Sequence, residues 1–282
     1  MIPPQILGIL YALASAAAWG SGDFTGGVAA RSQDQFRVLY LMTIPGIIVL
    51  ALIAYAFGEP LLPSVRDILW AASAGLCGAF GIATLYRGLS LGNMAIVAPT
   101  AAVIGAGLPV LFSSITMGLP DVKKLAGFLL AGIGIWLVSR PPNGHDRLSV
   151  RGLNYAFIAG TCFGGYFIFV AQVDAGLVFS PLIYAKTASL MLAIIIILFR
   201  HERLPGLRGS ATAVLAGVFD AGGNAFYMLA RQFTRLDTAA VLASMYPAVT
   251  VVLAGLILKE KVLVSQWHGL AVCLAAIALI SS

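Results

Sequence analysis

A carboxylate inside a long apolar stretch is the first group in this chain whose chemistry demands a reason. Asp23 lies in Trp19-Gly-Ser-Gly-Asp-Phe-Thr-Gly-Gly27, within the apolar segment Ile6 to Ala29. That segment is long enough to cross a bilayer. A carboxylate in hydrocarbon costs several kcal/mol, so it must face protein or a water-filled cavity. Trp19 stands one helical turn earlier, so indole and carboxylate share a helix face. Glycines at 20, 22, 26 and 27 let another helix approach closely and weaken the local helix. An acid, an aromatic plate and a loosened backbone point to a site for a small-molecule substrate. The alternative is a buried aspartate capping a broken helix.

A second polar set lies in the other half. Asp220, Asn224 and Tyr227 stand at i, i+4 and i+7 and form one stripe. Such a stripe lines a cavity, or it glues helices by hydrogen bonds worth about 0.6 kcal/mol each in membranes. Lys186 lies about two turns inside an apolar segment. It is a partner for Asp220 or for a substrate carboxylate, or it snorkels to the interface. Phe163, Tyr166, Phe167 and Tyr246 are aromatics for a cavity wall or for packing. Pro99, Pro109 and Pro247 kink their helices and free backbone carbonyls that can hold a substrate. Asp23 and Asp220 are candidates for proton coupling, because a carboxylate deprived of water holds a proton more readily. Arg87 and Arg231 read as interfacial anchors, and His268 receives no role.

These groups need helices to hold them. Of the 282 residues, 60% are hydrophobic and 10% charged, against roughly a quarter charged in soluble domains. The class is an all-α polytopic membrane protein. Ten apolar segments can be marked: Ile6–Ala29, Phe36–Phe57, Ile68–Leu89, Met94–Met117, Leu125–Ser139, Gly152–Val173, Phe179–Phe199, Thr212–Arg231, Ala239–Leu258 and Leu263–Ile280. Each is roughly 15 to 24 residues, enough to cross a bilayer with varying tilt. No Lys or Arg precedes the first segment, which is too long for the core of a cleavable signal peptide. The net charge of +6 fits loops facing anionic lipid, and no basic run with interleaved aromatics suggests nucleic acid. Cys77, Cys162 and Cys273 fall in apolar segments without metal-ligand spacing and read as core residues. Neither a metal nor a cofactor is expected.

The two halves repeat. Superposing Gly8 on Gly152 places Trp19 on Phe163, Gly20 on Gly164, Tyr40 on Tyr184, Gly78 on Gly222 and Arg87 on Arg231. The polar stretch Arg140 to Arg147 separates the copies. The expected division is 1–139, a linker 140–151, and 152–282. Five spans is an odd number, so the second copy enters the membrane from the opposite face, giving two inverted-topology repeats. Of the 17 Lys and Arg, five (Arg66, Lys123, Lys124, Arg231 and Arg235) share the face of the termini, while Lys186 lies within a segment and the other eleven lie opposite. The positive-inside rule therefore places the termini outside.

These motifs carry a family resemblance. Residues 19–27, Leu85-Tyr-Arg-Gly-Leu-Ser-Leu-Gly92, Val97-Ala-Pro99 and Leu108-Pro-Val110 resemble the first half of an EamA-type protein of the drug/metabolite transporter superfamily. Asp220-Ala-Gly-Gly-Asn-Ala-Phe-Tyr227, residues 241–250 and Leu258-Lys-Glu-Lys261 resemble the second. The resemblance implies ten helices in two inverted five-helix repeats, with helices one to four and six to nine around a central cavity. It also implies a bacterial inner-membrane exporter of small metabolites, commonly amino acids. It implies cytoplasmic termini, against the charge count. The Gly-Glu turn of the family is lost at Met117-Gly118-Leu119 and kept at Glu260.

The expectation is a secondary exporter of small zwitterionic or amphipathic metabolites, amino acids or related compounds, working by alternating access. Trp19, Asp23, Tyr166, Lys186, Asp220, Asn224, Tyr227 and Tyr246 are the candidate substrate residues. The competing reading is an efflux pump for lipophilic cations, which needs acids and aromatics but no cavity base. The chain has no His-Glu-x-x-His, no Gly-x-Ser-x-Gly and no Ser/His/Asp set, so an enzyme is not expected. The partners expected are a small substrate and the bilayer, for a monomer or a homodimer.

Overall fold

The computed structural model describes residues 3–30, 33–90, 94–139, 150–206, 210–259 and 261–281. The side chains at 86–90, 94–96, 98, 99, 150 and 151 lie outside that description. So do the side chains of Arg87 and Pro99, the acid Glu260 and most of the linker. The described residues form helices α1 (Pro4–Ala30), α2 (Gln35–Ala56), α3 (Val65–Ser90), α4 (Met94–Met117), α5 (Val122–Val138), α6 (Val150–Val170), α7 (Ser180–Phe199), α8 (Ala211–Phe233), α9 (Leu236–Ala243), α10 (Tyr246–Ile257) and α11 (Val264–Ser281), and no strand.

Among the described residues, eight spans are long and apolar enough to cross a membrane. One of them, Leu236–Ile257, is made of α9 and α10 together. α1, diluted by glycine and serine, and α5, with 17 residues, complete ten. Large side chains such as Leu52, Ile115 and Phe199 are exposed on the outer surface, as lipid-facing residues must be. The chain is a multi-pass membrane protein.

Helix ends follow local chemistry. Asp34 caps α2 by accepting from the Phe36 N–H at 2.9 Å, and Asp121 caps α5 by accepting from the Lys124 N–H at 2.9 Å. Gly58 and Gly118 turn the chain at φ +71 and +81. α7 has no cap of its own. Glu59, far away in sequence, supplies one: its carboxylate accepts from the N–H groups of Val178, Phe179 and Ser180 at 2.8 to 2.9 Å.

Small residues decide which helices meet. α1 packs along α8, α3 along α6, α2 along α7, and α5 along α11, while α4 packs on α6 and α9. A Cβ on Gly75 would strike the Ala185 carbonyl, and one on Gly217 the Met42 carbonyl. Ser15 ties α1 to α8 by donating to the Gly223 carbonyl at 2.7 Å.

Two expectations need correction. The glycines do not break α1, which runs unbroken from Pro4 to Ala30; Gly20 and Gly22 are packed against neighbouring helices, which hold the backbone. α4 runs through Pro99 and Pro109 as one helix, a continuity that a proline kink allows. The ninth segment is instead two helices, interrupted at Ser244 and Met245. Pro247 sits in the first turn of α10, where a missing N–H costs least, so it opens a new helix rather than kinking one.

Candidate functional site

A cavity of about 430 Å³ lies between α1, α2, α3, α4, α6, α7, α8 and the α9–α10 junction. α5 and α11 take no part in its lining. It reaches from Trp19 and Tyr246 to Gly27, near the end of α1, and Gln35, at the start of α2. It therefore extends toward the face opposite the termini.

Seven of the eight candidate substrate residues line it: Trp19, Asp23, Tyr166, Lys186, Asp220, Asn224 and Tyr246. Tyr227 does not. It is fully buried one turn beyond the cavity, with its ring 4.9 Å from Phe167 and 6.0 Å from Trp19, and its hydroxyl donates to the Phe167 carbonyl at 3.4 Å. It braces the wall from behind. Trp19 is held edge-on by Phe167 at 5.7 Å and Tyr166 at 6.2 Å. Gly223 makes room for it, because a Cβ there would stand 2.7 Å from the indole Cγ.

The polar side chains form one chain of contacts. Tyr166 donates its hydroxyl to the Asn224 side-chain oxygen. The Asn224 amide donates to Asp220 Oδ1 at 3.2 Å and to the Asp220 backbone carbonyl. Lys186 Nζ pairs with Asp220 Oδ2. Lys186 thus points inward to an acid instead of snorkelling. The pair is mostly shielded, with 14% and 21% of the two side chains exposed.

Asp23 differs. It is exposed, it lines the cavity, and it makes no side-chain hydrogen bond or ion pair among the described residues. Lys186 and Asp220 cancel, so the described wall carries a net charge of about −1, at Asp23, when all three groups are ionised. The arrangement can take up a compact cation, with an indole beside it for an apolar or π-bearing body.

Sequence reading missed Gln35, Ser189 and Ser244, which also line the cavity. Lone polar residues in apolar runs gave no signal above background. Pro109 lacks the N–H that would bond the Gly105 carbonyl, and Gly105 lies on the wall. Ser113, Arg235 and Asp237 were also missed as a group. Away from the cavity, on the termini face, buried Ser113 donates to fully buried Asp237 at 3.0 Å. Arg235 pairs with Asp237 at 2.9 Å and donates to the Gly118 carbonyl at 2.7 Å. This knot joins the end of α4 to the start of α9.

A membrane-spanning helical bundle around a charged central cavity defines the class. Residues 6–140 and 150–282 match the model of the EamA-like transporter family, and the chain belongs to that family. It is 28% identical over 169 residues to the uncharacterized transporter sll1319 of Synechocystis, a match covering 57% of this chain and 51% of that protein. The chain thus spans about half the length of that curated relative. One solved protein structure has the same fold, with a TM-score of 0.76 over 96% of this chain and 95% of its own, at 18% identity.

Proposed function

We propose that this chain is a secondary transporter that exports small amine-bearing metabolites, amino acids or related zwitterionic compounds, from a bacterial cell through its inner membrane. The observation that carries the reading is the unpaired Asp23 beside Trp19, facing the Lys186–Asp220 pair across one cavity. Asp23 receives the substrate ammonium. Lys186 exchanges Asp220 for the substrate carboxylate. Asp23 or Asp220 carries the coupled proton. Such a cycle needs no bound cofactor.

Alternating access rests on two inverted repeats, 1–139 and 152–282, joined by 140–151. The helix pairings support this. If α6 corresponds to α1 and α8 to α3, the α1–α8 and α3–α6 contacts exchange, while α2–α7 and α5–α11 map onto themselves. The two separate stretches matched by the family model agree with the same division.

A second reading, efflux of lipophilic monocations, is favoured by one observation: Lys186 is already neutralised, which leaves a cavity of net negative charge. Counterflow in proteoliposomes, with labelled amino acids beside a labelled organic cation, tests both. Failure of amino acids to exchange while the cation does would replace the first reading by the second. Exchange of neither would remove both.

A further inference from the structure

A second and larger crevice, about 870 Å³, lies on the termini face, apart from the transport cavity. It is built from helix ends: the start of α1, the end of α4, the start of α5, the end of α8, the start of α9 and the end of α11. These spans cross the bilayer, so their ends lie at the level of the lipid headgroups.

Its charges are one-sided. Lys123, Lys124, Arg231 and Arg235 line it, with Asp121 as the one acid among the described residues of its wall. Arg235 is spent on Asp237, which lies behind the wall. Lys124 stands 3.9 Å from Asp121. The other two cations stay uncompensated. The Lys123 side chain has no hydrogen bond or ion pair among the described residues. Arg231 donates only to a neutral carbonyl, that of Ala171 at 2.8 Å, and its Nε is buried without an acceptor. A buried donor left unmet is costly, and an anion beside the guanidinium lowers that cost.

The remaining lining is amphipathic. Gln5 sits at the outer end of α1, and Ile6 and Ile9 follow it toward the membrane interior. A phosphate among the cations and acyl chains along the isoleucines satisfies both parts. A soluble anion satisfies only the first.

We propose that this crevice binds the phosphate of an anionic phospholipid, with Lys123 and Arg231 as its principal partners. The test is lipid retention by the purified full-length chain in detergent, read by native mass spectrometry and thermal unfolding. Phosphatidylglycerol is compared with phosphatidylcholine of the same acyl chains and with inorganic phosphate. Wild type should retain phosphatidylglycerol over phosphatidylcholine by roughly tenfold or more, the scale that two interfacial cations give. A Lys123→Gln/Lys124→Gln variant, both of whose positions lie at the surface, should lose most of that preference, and Arg231→Gln should do the same if it folds. Asp23→Asn should leave the preference unchanged, which separates this site from the transport cavity. Equal retention of the two lipids, or an undiminished preference in the double-lysine variant, would overturn the proposal. So would inorganic phosphate raising the unfolding temperature as much as phosphatidylglycerol does, which would make the ligand a soluble anion.

Discussion

Lys186 of α7 and Asp220 of α8 form an ion pair on the wall of the central cavity, and Asp23 of α1 faces the same space with no partner. One acid is therefore satisfied by the protein and the other is left for something that enters.

The first prediction follows from that pair. Lys186→Gln should lower amino-acid transport by about ten- to a hundredfold, the loss of one charged hydrogen bond to substrate. It should leave organic-cation transport within a few-fold of wild type. Counterflow in proteoliposomes measures both. Equal losses for the two substrates would mean that Lys186 serves the fold through Asp220 and not the substrate. Asp220→Asn, by the same logic, should reduce transport more than it reduces the amount of protein in the membrane.

Asp23→Asn should keep the fold, because the amide is nearly isosteric and costs less to desolvate than a charge. It should abolish substrate binding or the pH dependence of transport. Uptake across a pH series, wild type beside variant, decides this. Identical rates and identical profiles would reduce Asp23 to a structural polar group.

Gly223→Ala should move Trp19 into the cavity, since the added methyl would overlap the indole. Overpacking of this kind costs about 1 to 3 kcal/mol. Bulky substrates should lose affinity before small ones do, and tryptophan fluorescence should shift. An unchanged size preference would mean that the ring is absorbed elsewhere.

Asp237→Ala should lower stability by about 3 to 5 kcal/mol, as removing one partner of a buried ion pair does. It strands Arg235 and leaves Ser113 without its acceptor. Thermal unfolding in detergent measures the loss. A drop no larger than that of an exposed control such as Leu119→Ala would show that the α4–α9 knot contributes little.

Topology is open to impermeant thiol labelling. Cysteines at Ser139 and Glu202 should react from one face, and one at Leu119 from the other, because even numbers of spans separate the first two and an odd number separates either from the third. Which pair reacts from outside then sets the orientation. The charge count and the family resemblance disagree on that point. Split labelling of Ser139 and Glu202 would exclude ten spans.

Much of this molecule was legible in the sequence because hydropathy and helical period are local properties. Uninterrupted apolar runs set the spans to within a few residues. Asp23 stood out because a carboxylate in such a run has few uses, and spacing alone put Asp220 and Asn224 on one face. Tertiary structure decided what depends on the depth and rotation of one helix against another. Tyr227 shares the stripe of Asp220, yet α1 and α6 close over it with Trp19 and Phe167. The partner of Lys186 lies on a neighbouring helix, and the group that Glu59 caps lies on a helix more than a hundred residues away. The Ser113–Asp237 hydrogen bond likewise forms only where α9 meets α4. Such pairings cross between segments, and the order of residues along one segment does not record which neighbour will face it.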